Sequence, residues 1–331
     1  MNFTIEVSPE GFRKARASQD CPAGFLLNTE TPTIFALFDT RYESFCAQCL
    51  TPFDRGEDKP DKPALKKNRC TGGCASTFYC SRACQKAAHP IHKHTCKNYE
   101  PILDQAANPR DDFPLDQFML LRNAFIHCCN VATPRIGVNS KTIPPLPKFL
   151  EDLHYSEPLS PPHYADHDAG LAMATAYSVM MDSPEAATWF HVLMSKFRCN
   201  NYCILTPRHS TVAHSVFSNS SVFNHSCHPN CCVTYNNAVQ TIRTIKPVAK
   251  GEELFHAYCD ITWPISMRRD HLEEIYGFKC ACDRCSGLTS VDESELTRQE
   301  RPMTELQMVE IETSLKAAAA GGDKVESTKR E

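Results

Sequence analysis

Residues 223–232 read FNHSCHPNCC. An Asn-His-Ser-Cys run followed by a proline, a second asparagine and two more cysteines packs polar and metal-ligating side chains into ten residues. The partners of Cys227 have to be sought elsewhere in the chain. Residues 280–285 read CACDRC, which supplies three thiols, Cys280, Cys282 and Cys285. A structural zinc takes four ligands, and Cys227 is the candidate for the fourth. That assignment closes a loop of more than fifty residues between positions 227 and 280.

A second cysteine-rich block lies at 46–96. It holds Cys46-x2-Cys49, Cys70-x3-Cys74, Cys80-x3-Cys84 and His92-x3-Cys96. Two or three residues between the members of a pair let both reach one ion about 2.3 Å from each sulfur. Four pairs make eight ligands, enough for two tetrahedral zinc ions. Nineteen cysteines in 331 residues could also be buried free thiols, and the spacing is what favours zinc. His92 sits one helical turn before Cys96, a better register than His89 or His94. The block has few large apolar residues, so metal must supply much of its folding energy. Eight Lys and Arg lie from Lys62 to Lys97 with no acid among them. Part of that charge offsets thiolates, and the rest reads as a solvated basic face.

Composition narrows the classes. A chain of 331 residues with 42% hydrophobic and 22% charged residues is an ordinary globular composition with room for two or three units. The net charge of −4 argues against a polycation. No apolar run reaches the length of a membrane span, and the opening MNFTIEVSPEGFRKAR has no signal-peptide core.

Once these motifs are assembled, the chain resembles known families. Residues 46–96, with Tyr79-Cys80 and the closing His-x3-Cys, resemble a MYND zinc finger. The resemblance implies interleaved pairs: Cys46, Cys49, Cys80 and Cys84 on one ion, and Cys70, Cys74, His92 and Cys96 on the other. The long Cys49–Cys70 gap and the three residues between Cys70 and Cys74 depart from that pattern and read as loop insertions. FNHSCHPN, GEELFHAYCD (251–260) and YGFKCACDRC (276–285) resemble the SET domain with its post-SET zinc motif. Together they resemble the SET-and-MYND-domain family of S-adenosylmethionine-dependent protein-lysine methyltransferases, over about residues 8–286.

The resemblance carries expectations about the site. Tyr258 becomes the tyrosine beside methyl transfer, its hydroxyl orienting the amine. Arg13, Asn200, Asn224, His225, Tyr258 and Phe278 become the cofactor contacts, with Phe278 near the adenine. Glu252 and Glu253 read as strand-end salt-bridge partners rather than general bases. In-line displacement asks of the protein only alignment, desolvation and electrostatics, and the amine must be neutral although a free lysine titrates near 10.4. One departure stands out. The family's Gly-x-Gly cofactor segment falls on Phe12-Arg13-Lys14, with Gly11 one residue away. Glycine serves where backbone must approach a ligand without a Cβ.

The expected fold is mixed α+β: a SET-domain β-fold of small sheets with a MYND finger and a helical insert. The expected divisions are 1–45, an N-terminal SET segment; 46–96, the finger; 97–198, the helical insert; 199–265, the SET core; 266–286, the post-SET zinc segment; and 287–331, a polar helical or disordered tail. Within these, FTIEV, GFLLN and TIFALF read as strands. Residues 114–129 read as a helix, and a second helix opens at Ser183-Pro184. Residues 134–162 read as a proline-rich loop, CCVTYNN with AVQTIRTI as a hairpin, 268–276 as a helix, and 304–320 as a capped helix.

Two functional expectations follow. One is a zinc-binding, S-adenosylmethionine-dependent lysine N-methyltransferase acting on a histone or another protein. The other is a catalytically degenerate scaffold whose finger recruits proline-containing peptides, which the missing glycines favour. No recognition-helix pattern points to specific nucleic acid, and nothing points to a membrane. The expected compartment is reducing, nucleus or cytoplasm.

Overall fold

The computed structural model describes residues 1–38, 41–54, 64–74, 77–94, 96, 123–124, 127, 145–153, 184–207 and 210–291. Among these, no helix is long and apolar enough to cross a membrane.

The expected strands are present, and further strands appear among the described residues. β1 (Phe3–Val7) pairs antiparallel with β2 (Arg13–Ala17), which the polar string RKARA concealed. Only Ala15 and Ala17 of β2 turn inward; its charged residues face outward or along the edge. Gly11 takes φ +86° in the tight connection between these strands, where Ser8 accepts its N–H. Its left-handed conformation serves the turn.

β3 (Leu26–Glu30) joins the hairpin of β10 (Cys231–Asn236) and β11 (Val239–Thr244) in a three-stranded sheet. The hairpin turns at Asn237, φ +55°, a left-handed position that asparagine tolerates. A second three-stranded sheet has β8 (Thr211–Val216) between β4 (Ile34–Leu37) and β7 (Tyr202–Leu205). The expected helix from Pro184 is α3 (Pro184–Asn200), which feeds directly into β7. Residues 134–162 are not all loop. Lys148–Glu151 form one helical turn, α2, started by Pro147 with its fixed φ of −60°. The 114–129 helix lies mostly outside the described residues, although Asn123, Ala124 and His127 are helical. The 304–320 helix lies outside them entirely.

In the cysteine-rich segment, β5 (Asn68–Arg69) and β6 (Phe78–Tyr79) form a minimal hairpin before α1 (Arg82–His92). Ser81 caps α1 by accepting the Cys84 N–H at 3.1 Å, which fixes Cys84 in the first turn. Phe45, Leu50, Phe53, Phe78 and Tyr79 are buried, and they belong to the same apolar cluster as Ile34, Leu37, Ile204, Val212 and Phe217 of the sheet. The segment therefore shares its core with β4, β7 and β8.

A second cluster gathers Phe3, Ala15, Leu27, Phe223, Ile242, Val248 and Leu254. On its border β9 (Asn224–His225) runs parallel to β12 (Phe255–His256). α4 (Ile265–Tyr276) ends at Gly277, φ +76°, and its inward Leu272 packs with Cys227, Cys280 and Cys285 in a third cluster.

Candidate functional site

The FNHSCHPN stretch is a junction of four hydrogen-bonded side chains. Asn224, at the start of β9, donates its amide to the Arg13 carbonyl at 3.1 Å and to Glu253 Oε1 at 2.9 Å. Asn230 accepts the Phe255 N–H at 2.7 Å and donates to the Glu253 carbonyl at 2.8 Å. The two asparagines thus clamp residues 253–255 from either side, which places β12 alongside β9.

His225 works on both sides of its ring. Its Nδ1 accepts the Tyr258 N–H at 2.9 Å, so the ring proton lies on Nε2, which faces the Cys227 Sγ at 3.2 Å. Burial, with further contributions from His256, Arg268 and His271, lowers the His225 pKa to about 3, so the ring is neutral at pH 7. One imidazole therefore ties the backbone of Tyr258 to a sulfur of the metal-ligand set.

The Tyr258 hydroxyl donates to the Phe223 carbonyl at 2.8 Å, beside Asn224. Its ring lies 4.7 Å from Tyr276, 4.8 Å from His256 and 5.3 Å from His225, centroid to centroid. Burial raises its pKa above the usual phenol range, so it stays a hydroxyl at neutral pH and acts as donor and acceptor, not as a base. Tyr258 lines a cavity of about 490 Å³ with Asn200, Tyr202, Ser221, His256 and Tyr276. The Tyr202 hydroxyl donates to the Ser220 carbonyl at 2.8 Å and lies 3.0 Å from His256 Nε2. The other His256 nitrogen faces the Ala257 carbonyl at 3.0 Å, a contact that requires the proton on Nδ1. The ring stacks on Tyr202 at 5.4 Å, and burial lowers its pKa to about 4.

Of the six residues assigned to the cofactor, Asn200 and Tyr258 face this cavity. Asn200 also donates to the Lys196 carbonyl at 2.7 Å. Arg13 meets Asn224 through its carbonyl, and burial lowers the pKa of its half-buried guanidinium against the opposing charge of Asp152. Phe278 is 37% exposed, with its ring 6.2 Å from that of His225. Lys14, at the second glycine position of the family's Gly-x-Gly segment, extends its amine to 3.5 Å from Glu253.

Sequence reasoning missed the other walls. Tyr202, His256 and Tyr276 come from three separate segments, and only the aromatic two places before Phe278 gave a local signal. It also missed Glu30. That carboxylate accepts the Asn219 and Ser220 backbone N–H groups, both at distances near 3 Å, and the Ser218 and Ser220 hydroxyls. It thereby holds the turn 218–222 that presents Ser221 and Phe223.

Three sets of donors gather within 4.8 Å: Cys46, Cys49, Cys80 and Cys84; Cys70, Cys74, His92 and Cys96; and Cys227, Cys280, Cys282 and Cys285. A tetrahedron of sulfurs bonded to zinc at about 2.3 Å has edges of about 3.8 Å. The observed separations include 3.5 Å for Cys49–Cys80 and for Cys80–Cys84, and 3.6 Å for Cys70–Cys96. In the third set Cys227 lies 3.9 Å from Cys280 and 3.6 Å from Cys285. These are ligand spacings, far longer than a disulfide of about 2.05 Å. His92 Nε2 lies 3.1 Å from Cys70 and 3.4 Å from Cys74, and burial lowers its pKa, which suits a neutral ligand. Gly72 is required there. Its N–H points at Cys70 Sγ, and an added Cβ would sit 2.6 Å from Cys96 Sγ.

Charge around the third set fits a zinc with four thiolates, formally −2. Arg268, fully buried, donates to the Trp263 carbonyl and reaches Cys285 Sγ at 3.8 Å. Arg269 donates to the carbonyls of Cys280 and Cys285, and buried Arg284 to those of Cys227 and Ile261. A buried guanidinium is costly without a counter-charge, and a metal–thiolate group supplies one.

Comparison with known proteins agrees. The SET domain family model matches residues 16–259. The chain is 27% identical over 295 residues to "N-lysine methyltransferase SMYD2-A" of Xenopus laevis, covering 84% of this chain and 59% of that protein. It is 27% identical over 282 residues to "N-lysine methyltransferase SMYD2" of Homo sapiens, with the same coverage. The chain thus spans about 59% of the length of these relatives. A solved structure described as the SET domain of LSMT bound to lysine and AdoHcy matches with TM-score 0.32 and 10% identity, over 85% of this chain and 52% of that one. With the profile spanning most of the sequence and the junction built from its Asn-His-Ser-Cys run, the chain belongs to the SET domain family, and its relatives within that family are SMYD proteins.

Proposed function

We propose that the protein is an S-adenosylmethionine-dependent protein-lysine N-methyltransferase. The observation that carries this reading is the placement of Tyr258. Its hydroxyl is held at Phe223, next to Asn224, while its ring walls the aromatic cavity of Tyr202, His256 and Tyr276. That cavity suits the aliphatic stem of a lysine, and its apolar walls lower the pKa of an entering ammonium by desolvation. Within it, the Tyr258 hydroxyl orients the amine, and His256, being neutral, adds no repelling charge. The cofactor, when bound, supplies the sulfonium methyl. Asn224, His225, Phe278 and the Arg13 carbonyl are the residues that would hold it, and the exposed Phe278 face offers an aromatic shelf for a heterocycle.

The substrate in this reading is a protein lysine, histone or other. We assign residues 46–96 to a MYND finger with two zinc ions, able to dock proline-containing peptides, and 266–286 to a post-SET segment with the third. The gathered thiols require a reducing compartment, nucleus or cytoplasm, to remain ligands. A labelled-methyl transfer assay on histones and cell extract tests the enzyme reading. Incorporation that depends on Tyr258 supports it.

A second reading rests on Lys14, which stands at a glycine position of the Gly-x-Gly segment and pairs its amine with Glu253, while Glu253 in turn occupies Asn224. In it the SET fold is a scaffold for the finger. Calorimetry separates the two: no heat at near-millimolar S-adenosylmethionine rejects the enzyme reading.

A further inference from the structure

Cys259 adds a fifth sulfur to the cluster of Cys227, Cys280, Cys282 and Cys285, one more than a tetrahedral ion takes. Cys259 Sγ, Cys227 Sγ and a ring nitrogen of His225 lie within 4.8 Å of one another. Cys259 follows Tyr258 directly and is half-buried, whereas Cys227 is 1% exposed. Cys259 takes no part in the methyl transfer proposed above. The Nε2 of His225 lies 3.2 Å from Cys227 Sγ, so the ring and the two sulfurs form one packed cluster. A solvent-reachable thiol therefore stands against a buried one, and the two need only close from at most 4.8 Å to the length of a disulfide.

We propose that Cys259 is an oxidation site for hydroperoxides, and that its product is a Cys227–Cys259 disulfide that withdraws Cys227 from the metal-ligand set. The first step breaks the O–O bond of the peroxide and forms an S–O bond. The thiol plus hydrogen peroxide gives Cys259 sulfenic acid and water, and the sulfur is oxidised by two electrons. In the second, the Cys227 sulfur attacks the Cys259 sulfur, the S–S bond forms, and hydroxide leaves. It departs as water with the proton of the Cys227 thiol or, for a metal-bound thiolate, one from solvent. The order follows from burial: the peroxide reaches Cys259 first, and Cys227 is the resolving sulfur. The link joins the residue after Tyr258 to the residue two places after His225, so it strains the Tyr258 N–H to His225 Nδ1 bond at the same time.

The test uses the full chain purified with its metal. It is treated with hydrogen peroxide, alkylated and digested, and its cross-linked peptides are weighed while a chromophoric chelator records released zinc. The expected result is one peptide pair joining Cys227 to Cys259, two hydrogens lighter than its parts, appearing in step with one equivalent of zinc. In Cys259→Ser, or Cys259→Val if that variant folds poorly, the expected release from this site slows at least fivefold. Cross-links confined to Cys280, Cys282 and Cys285 overturn the proposal, as does wild-type zinc release in both variants. The wild-type peptide map needs no variant. A Cys227–Cys259 link that forms with no zinc released overturns the withdrawal of Cys227 from a metal-ligand set.

Discussion

The Tyr258 hydroxyl donates to the Phe223 carbonyl at 2.8 Å across 35 residues of sequence. This bond sets where the hydroxyl oxygen points, and it can be removed without emptying the space the ring fills. Tyr258→Phe is expected to lower methyl transfer by about 10²-fold or more, as for loss of one oriented polar group in an active site. The same change should cost only about 1 kcal/mol of stability. Urea unfolding alongside single-turnover transfer checks the pair. Full activity in a folded variant contradicts the role given to the hydroxyl.

Glu30 collects donors from Ser218, Asn219 and Ser220. Glu30→Gln keeps the size but turns one acceptor oxygen into a donor facing N–H groups. The expected loss is about 2–3 kcal/mol, read from the denaturant midpoint. Hydrogen exchange should speed at residues 218–221 before the sheets open.

His256 makes stability depend on pH. Burial lowers its folded pKa to about 4, against an ordinary value of 6.5. Between those values the unfolded chain binds the proton and the folded one does not, so stability falls as pH drops from about 6.5 toward 4. The full contribution is about 3 kcal/mol for this one group. Thiolates also protonate as pH falls, in any variant. The measurement is therefore the difference between wild type and His256→Gln, which should narrow on acidification. A constant difference from pH 7 to pH 4.5 refutes the assignment.

Phe12 and Lys14 stand where bare backbone would leave room, and Lys14 engages Glu253. In the double variant Phe12→Gly, Lys14→Gly, S-adenosylmethionine affinity measured by calorimetry should rise about tenfold, worth about 1.4 kcal/mol. Two glycines in or beside β2 should cost about 1–2 kcal/mol of stability. Unchanged or weaker binding removes these side chains as obstacles.

Removing metal should unfold the 46–96 segment and the 280–285 loop more readily than the rest. With the ion gone, Arg268 loses its counter-charge, so Arg268→Met should destabilise the metal-loaded protein by several kcal/mol and the metal-free protein by much less. Melting with and without chelator for both proteins gives the four values needed.

Close spacing made some of the molecule legible and hid the rest. The ligand clusters at 46–96 and 280–285 were readable because a metal writes itself into sequence as cysteines two or three residues apart. Cys227 was readable only because three thiols leave a fourth position open. The hairpin at Asn237 announced itself by alternation and by asparagine. β2 did not, because RKARA buries two alanines and shows three polar stems, the reverse of an apolar strand signal. Tyr202, His256 and Tyr276 converge from three segments, and no local period encodes a cavity wall. Asn230 and Glu30 act largely through backbone groups of residues distant in sequence, which no local pattern encodes.

Phe45, Leu50 and Phe53 lie in one apolar cluster with Ile34, Val212 and Phe217. The cysteine-rich segment is thus no interchangeable cassette. Excising it would leave the sheet with a raw greasy wound, and transplanting it alone would carry half a core to a host that lacks the other half. Fusion designs that borrow it need β4, β7 and β8 as well, and inherited deletions within it are expected to reduce the amount of whole protein in a cell rather than only its peptide docking.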